Sequence, residues 1–209
     1  LKNSLTKQTL ADAIVQYQTT RSPQELLFQL GRCVAHIAVD DVEAAFCTEL
    51  KGKASWFLPF NQGWNSGAGN PPNLKTDYLW KQVLTRESLA NIIESYAQVV
   101  EEEEVDAGGK KRKKRKQIFP RFHQLRTVRA LLRRAHADGV GNRYLIQHSA
   151  GSGKSNTIAW LAHQLVELRR KDDPLTVQFD SIIVITDRRA LDTQIARTIK
   201  GYDHVAAIF

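Results

Sequence analysis

Apolar residues recur at helical spacing in two stretches of the chain. Leu125, Val128, Leu131 and Leu132 share one face of a segment that starts near Pro120, with Arg126, Arg129, Arg133 and Arg134 on the other. Ile158, Leu161, Ala162, Leu165 and Val166 repeat the pattern after Ser155. Both predict amphipathic helices. Pro120 suits the start of the first, because its fixed φ fits a helix and its missing N–H is not needed in the first turn. Other apolar residues are continuous. Residues 143–147 (RYLIQ) and 182–185 (IIVI) read as short buried strands, and Leu191, Ile195 and Ile199 mark a helix after the second. Residues 204–209 read as the start of a further strand. The resulting β-α-β-α order predicts an α/β fold in which a buried parallel sheet carries flanking helices. Upstream, residues 12–17 predict a helix, residues 32–39 and 43–50 two strands separated by Asp40 and Asp41, residues 56–61 a third strand, and residues 61–73 a turn-rich loop.

Between these halves the pattern vanishes. Residues 101–116 (EEEEVDAGGKKRKKRK) hold five acids and seven bases and almost no apolar side chain, with Gly108 and Gly109 in the middle. Neighbouring like charges repel along such a run, so a disordered linker over 99–117 is expected, dividing the chain into pieces at 1–98 and 118–209. The run accounts for only two of the eight net positive charges, so the remaining excess is spread over the chain. A distributed positive field suits a nucleic-acid backbone without demanding one. The basic residues 110–116 read either as a phosphate-gripping tract or as a solvated linker neutralised by its own glutamates.

Composition narrows the classes further. The chain has 209 residues, 42% of them hydrophobic, enough for one large or two modest cores. No apolar run approaches membrane-spanning length, and a soluble cytoplasmic protein is expected. The chain begins at Leu1 and contains no methionine, which predicts an internal piece of a longer protein. Cys33 and Cys47 have neither the spacing of a zinc site nor the number for a disulfide scaffold, and read as reduced thiols. Trp56, Trp64, Trp80 and Trp160 are expected to pack in the core or against loops rather than to stack on bases.

The chemistry concentrates at residues 144–165 (YLIQHSAGSGKSNTIAWLAHQL). A strand, a small-residue turn and a helix would bring the backbone N–H groups of residues 151–155 to one point at a positive helix end, an anion site made by backbone alone. Gly151 and Gly153 let the chain curl, Ser152 lies between them, Lys154 adds a charge for the outer phosphates, and the Ser155 hydroxyl can coordinate Mg²⁺. The phosphate-loop pattern G-x-x-x-x-G-K-[ST] is met except at its first position, where His148 stands. Upstream, the amide of Gln124 offers a donor and an acceptor, the pair that matches the N6 and N7 edge of adenine.

Three stretches, FPRFHQLRTVRALL, YLIQHSAGSGKSNTIAWLAHQL and FDSIIVITDRRALDTQI, together resemble the motor of the restriction subunit of type I restriction-modification enzymes, a superfamily 2 DNA translocase. The resemblance implies a RecA-like P-loop NTPase lobe using ATP and Mg²⁺. It implies that Gln124 reads adenine, that residues 151–155 form the nucleotide loop, and that Thr186 and Arg188 lie on the DNA-facing side. It also implies double-stranded DNA, a modification subunit and a specificity subunit as partners, in a prokaryotic cytoplasm. In this family a PD-(D/E)xK nuclease domain precedes the motor. The residues LKN at the start place Lys2 as the lysine of its last catalytic pair, beside a carboxylate-bound Mg²⁺. Residues 1–98 are then the C-terminal part of that nuclease-like domain. Gln16 and Tyr17 are adjacent rather than four apart, and carry no catalytic assignment.

ATP hydrolysis in this class needs an acidic pair that holds Mg²⁺ and arginines from a second lobe. Neither is found before Phe209, and the nuclease lacks its acidic ligands, so the chain alone is expected to be inert. Three alternatives remain open at this level: a superfamily 2 helicase outside restriction systems, a metabolic P-loop kinase, and a basic DNA-binding module with a vestigial loop.

Overall fold

A computed structural model describes residues 4–73, 75–105, 109–187, 195–196 and 198–200. It divides into two units, Leu1–Phe122 and His123–Phe209. Lys2, Arg188 and Leu191 lie outside the described residues.

In the first unit one helix and three strands form where the sequence places them. Helix α1, Leu10–Thr19, precedes a three-stranded antiparallel sheet of β1 (His36–Val39), β2 (Ala44–Cys47) and β3 (Leu58–Pro59), with β2 in the centre. Asp40 turns the chain between β1 and β2. Its buried carboxylate accepts from the backbone N–H groups of Val42 at 2.8 Å, Glu43 at 2.7 Å and Leu10 at 2.6 Å, so it serves the turn and the start of α1. Beneath the sheet Phe46, Phe60, Tyr78, Phe119 and Phe122 interlock, with neighbouring ring centroids 5.0–6.5 Å apart. Each such ring buries a large apolar area, and this cluster is the main apolar store of the unit. The Tyr78 hydroxyl donates to the Phe60 carbonyl at 2.5 Å, and burial pushes its pKa up. A π-helical turn, Leu79–Val83, and helix α2, Arg86–Ser95, complete the layer. Trp160, in the second unit, is fully buried as expected. Trp56, Trp64 and Trp80 are not, being 77%, 48% and 51% exposed. Trp56 precedes the first paired residue of β3, and Trp80 faces outward from a turn that buries Leu79 and Val83.

The charged run departs from expectation. It forms an antiparallel hairpin of β4 (Gln98–Val105) and β5 (Lys111–Ile118), in place of the disordered linker expected over 99–117. The register sets Glu101, Glu102, Glu103 and Glu104 opposite Arg115, Lys114, Lys113 and Arg112. Repulsion along a strand is weakened because successive side chains alternate faces, and opposite charges across the ladder attract. At its base the buried Gln117 accepts from the Gly31 N–H at 3.1 Å and donates to the carbonyls of Cys33 and Val34. The hairpin belongs to the first unit, and the division between units falls one residue into the next helix.

In the second unit α3 (Phe122–Asp138) and α4 (Lys154–Val166) form where the pattern predicts two helices, but Leu131 and Leu132 on α3 and the whole expected stripe of α4, Ile158, Leu161, Ala162, Leu165 and Val166, are only half-buried. Leu125, Val128 and Ala135 are buried on α3, and Thr157, Ala159 and Trp160 on α4. Residues 195–196 and 198–200 are helical, with Ile195 buried. Among the described residues no parallel sheet is formed, and the strand expected at 204–209 lies outside them. Residues 143–147 have no strand structure and Leu145 is 96% exposed, while in 182–185 Ile183 and Ile185 are 79% and 88% exposed. A buried parallel strand takes its hydrogen bonds from neighbours, and no described residue pairs with either run. No helix among the described residues is long and apolar enough to cross a membrane.

Candidate functional site

The loop between residues 148 and 154 sits over the N-terminus of α4 and beside the first turns of α3. Gly151 and Gly153 both take left-handed conformations, at φ +71° and +81°. At Gly151 nothing lies within 4 Å of where a Cβ would stand, so that side of the loop is open. At Gly153 a Cβ would stand 2.6 Å from Gln124 Nε2, so both backbone and neighbour require glycine there. Gly153 is also the N-cap of α4, a position usually given to a side-chain oxygen. Here the first-turn N–H groups are left without a capping side chain, as an anion-binding helix end requires.

Side chains hold the loop by its carbonyls. Gln124 Nε2 donates to the Gly153 carbonyl at 2.8 Å, where the Thr157 N–H also arrives at 3.3 Å. His123 Nε2 is 3.0 Å from the Ser152 carbonyl, and because a carbonyl only accepts, that nitrogen carries the proton. Lys154 Nζ folds back to the carbonyls of His148 at 3.0 Å and Ser149 at 2.7 Å. In a trans peptide the C=O and the following N–H point in opposite directions, and the chain has no cis bond among the described residues. Fixing the Ser152 and Gly153 carbonyls outward therefore turns the N–H groups of Gly153 and Lys154 to the other side. The loop is set up as a cradle of donors, with a lysine ammonium at its rim.

His148 occupies the place where the usual pattern has glycine. Its ring meets that of His123 edge-to-face at 5.1 Å and its Nε2 lies 3.3 Å from Thr127 Oγ1. Burial lowers its pKa, and the positive charges of Lys154 and Arg126 lower it further, so a neutral ring is favoured beside the cradle. Ser152 is buried, and its Oγ has no partner among the described residues. Ser155 is half-buried in the first turn of α4.

The structure thus brings Gln124, Gly151, Ser152, Gly153, Lys154 and Ser155 together. Thr186 is half-buried in a segment without regular secondary structure, and no described geometry joins it to the loop. Among the described residues no group of three or more His, Cys, Asp or Glu side chains could hold a metal ion. His123 and Thr127 were not evident as site residues from the sequence. The available signal was their spacing around Gln124, which puts polar side chains along one edge of α3 between its apolar and arginine faces.

An uncapped helix N-terminus and a lysine ammonium stand side by side in this loop, a donor set that suits an anion such as a phosphate. The family profile of the SWI2/SNF2 ATPase matches residues 123–207, which points to a superfamily 2 helicase-like ATPase. No curated protein and no solved structure gives a significant match.

Proposed function

We propose that this chain supplies the nucleotide-binding corner of an ATP-driven double-stranded DNA translocase, the restriction subunit of a type I restriction-modification enzyme. In that reading translocation is coupled to DNA cleavage beside modification and specificity subunits. The observation that carries the ATP part is the loop at residues 148–154, four of whose carbonyls accept from His123, Gln124 and Lys154, which leaves the N–H groups of Gly153 and Lys154 turned away from the held Ser152 and Gly153 carbonyls. Lys154 exchanges the His148 and Ser149 carbonyls for the outer phosphates. Gln124 positions Gly153 and pairs with the adenine edge. Ser155 holds Mg²⁺, which when bound neutralises charge on the phosphates. Thr186 and Arg188 face the DNA. The restriction-subunit part is supported by the three motif stretches and by the succession of residues 1–98 before the motor, with Lys2 as a nuclease lysine.

The test is binding of a fluorescent ATP analogue with Mg²⁺ to the 209-residue chain, with Lys154→Ala and Gln124→Ala beside it. Lys154→Ala is expected to weaken binding by an order of magnitude or more, because a charge-assisted bond to phosphate is removed. Gln124→Ala is expected to weaken ATP more than GTP. Unchanged ATP affinity in Lys154→Ala overturns the site.

The SWI2/SNF2 match suits a second reading equally, a superfamily 2 translocase outside restriction systems. Plasmid cleavage by the full-length protein separates the two. Loss of cutting in Lys2→Ala with ATPase retained supports the restriction subunit, and wild-type cutting supports the second reading.

A further inference from the structure

The entry of the glycine loop is held in two ways, and only one of them outlasts a change of partner at Lys154. Residues 145–147 and 149–151 are exposed, and among residues 145–151 His148 alone is half-buried. Its backbone carbonyl and that of Ser149 accept from Lys154 Nζ at 3.0 and 2.7 Å. Its ring is held from α3: Nε2 lies 3.3 Å from Thr127 Oγ1, and the ring meets that of His123 edge-to-face with centroids 5.1 Å apart. Burial, Lys154 and Arg126 favour the neutral ring, and a hydroxyl can bond a neutral imidazole in either tautomer, as donor or as acceptor. His123 and Thr127 are four residues apart and so share one face of α3. His123 also donates to the Ser152 carbonyl at 3.0 Å, so one imidazole touches both the entry and the exit of the loop.

We propose that His123, Thr127 and His148 form a clasp that keeps the loop in shape while Lys154 exchanges its carbonyls for phosphate, and that all three are positioning residues for nucleotide. The inference rests on the reading of this loop as a nucleotide site. In the exchange the two bonds from Lys154 are lost, and the entry of the loop keeps the ring contacts of His148. Glycine, which the usual pattern has at this place, offers no side chain to make them. With the clasp the released loop retains one shape. Without it the binding-competent shape is one among several, and the apparent affinity falls by the fraction of chains that hold it. That loss appears in the association rate, because dissociation starts from the same bound complex. A side chain that touched the nucleotide would instead act mainly on dissociation.

The clasp is tested first without nucleotide, with Lys154→Ala standing for the released lysine. Backbone amide order parameters of residues 149–153 are measured by NMR in the 209-residue chain. They are expected at about 0.85 in wild type and in Lys154→Ala, and below about 0.6 in Lys154→Ala/Thr127→Val and Lys154→Ala/His148→Ala. Lys154→Ala/Thr127→Ser, which returns the hydroxyl, is expected to restore the rigid values. A loose loop in wild type or in Lys154→Ala alone overturns the clasp, and so does a rigid loop in either double variant. The second measurement is stopped-flow association of the fluorescent ATP analogue with Mg²⁺. Thr127→Val is expected to slow association by about two- to tenfold, the range that one hydrogen bond supplies, with dissociation unchanged. Thr127→Ser is expected to restore the association rate. Faster dissociation at an unchanged association rate overturns positioning in favour of direct contact with the nucleotide. A wild-type chain that binds no analogue overturns the nucleotide reading, while the order parameters still decide the clasp.

Discussion

Two pairs of short apolar runs in this chain have similar composition and opposite fates. His36–Val39 and Ala44–Cys47 form a ladder, and all but one of their eight residues are buried. Residues 143–147 and 182–185 are equally apolar, yet they form no strand, and Leu145, Ile183 and Ile185 are largely exposed. Four residues separate the members of the first pair, and Asp40 closes the turn between them. A whole helix, α4, stands between the members of the second. An antiparallel partner reached through a tight turn is local and costs little loop entropy, whereas parallel strands need a crossover and neighbours from elsewhere in the sheet. Apolar content alone marks a capacity for a strand, and a nearby partner turns it into one.

The difference is broken most forcefully in the core under the first pair. Phe60→Ala removes a fully buried ring that touches four aromatic neighbours, and is expected to destabilise the first unit by about 3–5 kcal/mol, read as a lowered urea midpoint. Next in size is the glycine loop of the second unit. Gly153→Ala is expected to cost about 1–2 kcal/mol from its left-handed backbone alone. The close approach of Gln124 adds to this, so Gly153→Ala/Gln124→Ala should recover part of the loss and no more, measured by thermal unfolding and ATP-analogue affinity.

A smaller effect is set by pH at β1. His36 is buried and its pKa is lowered by that burial. The unfolded chain takes up the proton near pH ~6.5, before the folded chain does. Stability of the first unit therefore falls as pH drops from about 6.5 through the lowered folded value, and is fully present above it. Urea midpoints against pH check this, and His36→Gln should flatten the slope in that window. The smallest effect belongs to the unpaired runs. Ile183→Ser is expected to change stability by no more than about 0.5 kcal/mol, and amides of residues 143–147 to exchange far faster than those of β1 and β2. Slow exchange at 143–147 would show that these residues pair after all.

Much of the candidate site was legible because its chemistry is local. Glycines at 151 and 153, a lysine and a hydroxyl before an amphipathic helix are contiguous, and contiguous residues keep their spacing in any fold. The helices α1, α3 and α4 and the three strands of the first unit were legible for a related reason, since periodicity and near turns act over short stretches of chain. What joins His123 and Thr127 to the loop was hidden, because α3 and the loop meet only in space. The use of Gln124 shows the same limit: its amide suits adenine by donor and acceptor count, and the folded chain gives one of its two N–H groups to the Gly153 carbonyl.

The charged hairpin marks the boundary most plainly. The sequence by itself determined that residues 101–116 hold acids followed by bases, that Lys154 follows a glycine turn, and that residues 143–147 and 182–185 are apolar. Only the tertiary structure decided that the acids lie opposite the bases, that four loop carbonyls are held by side chains, and that the two apolar runs stay unpaired. Covalent order fixes which charges and apolar groups exist and how far apart they are along the chain. Whether they attract, repel or bury one another depends on distances across the fold, and those are set by partners that the local pattern does not contain.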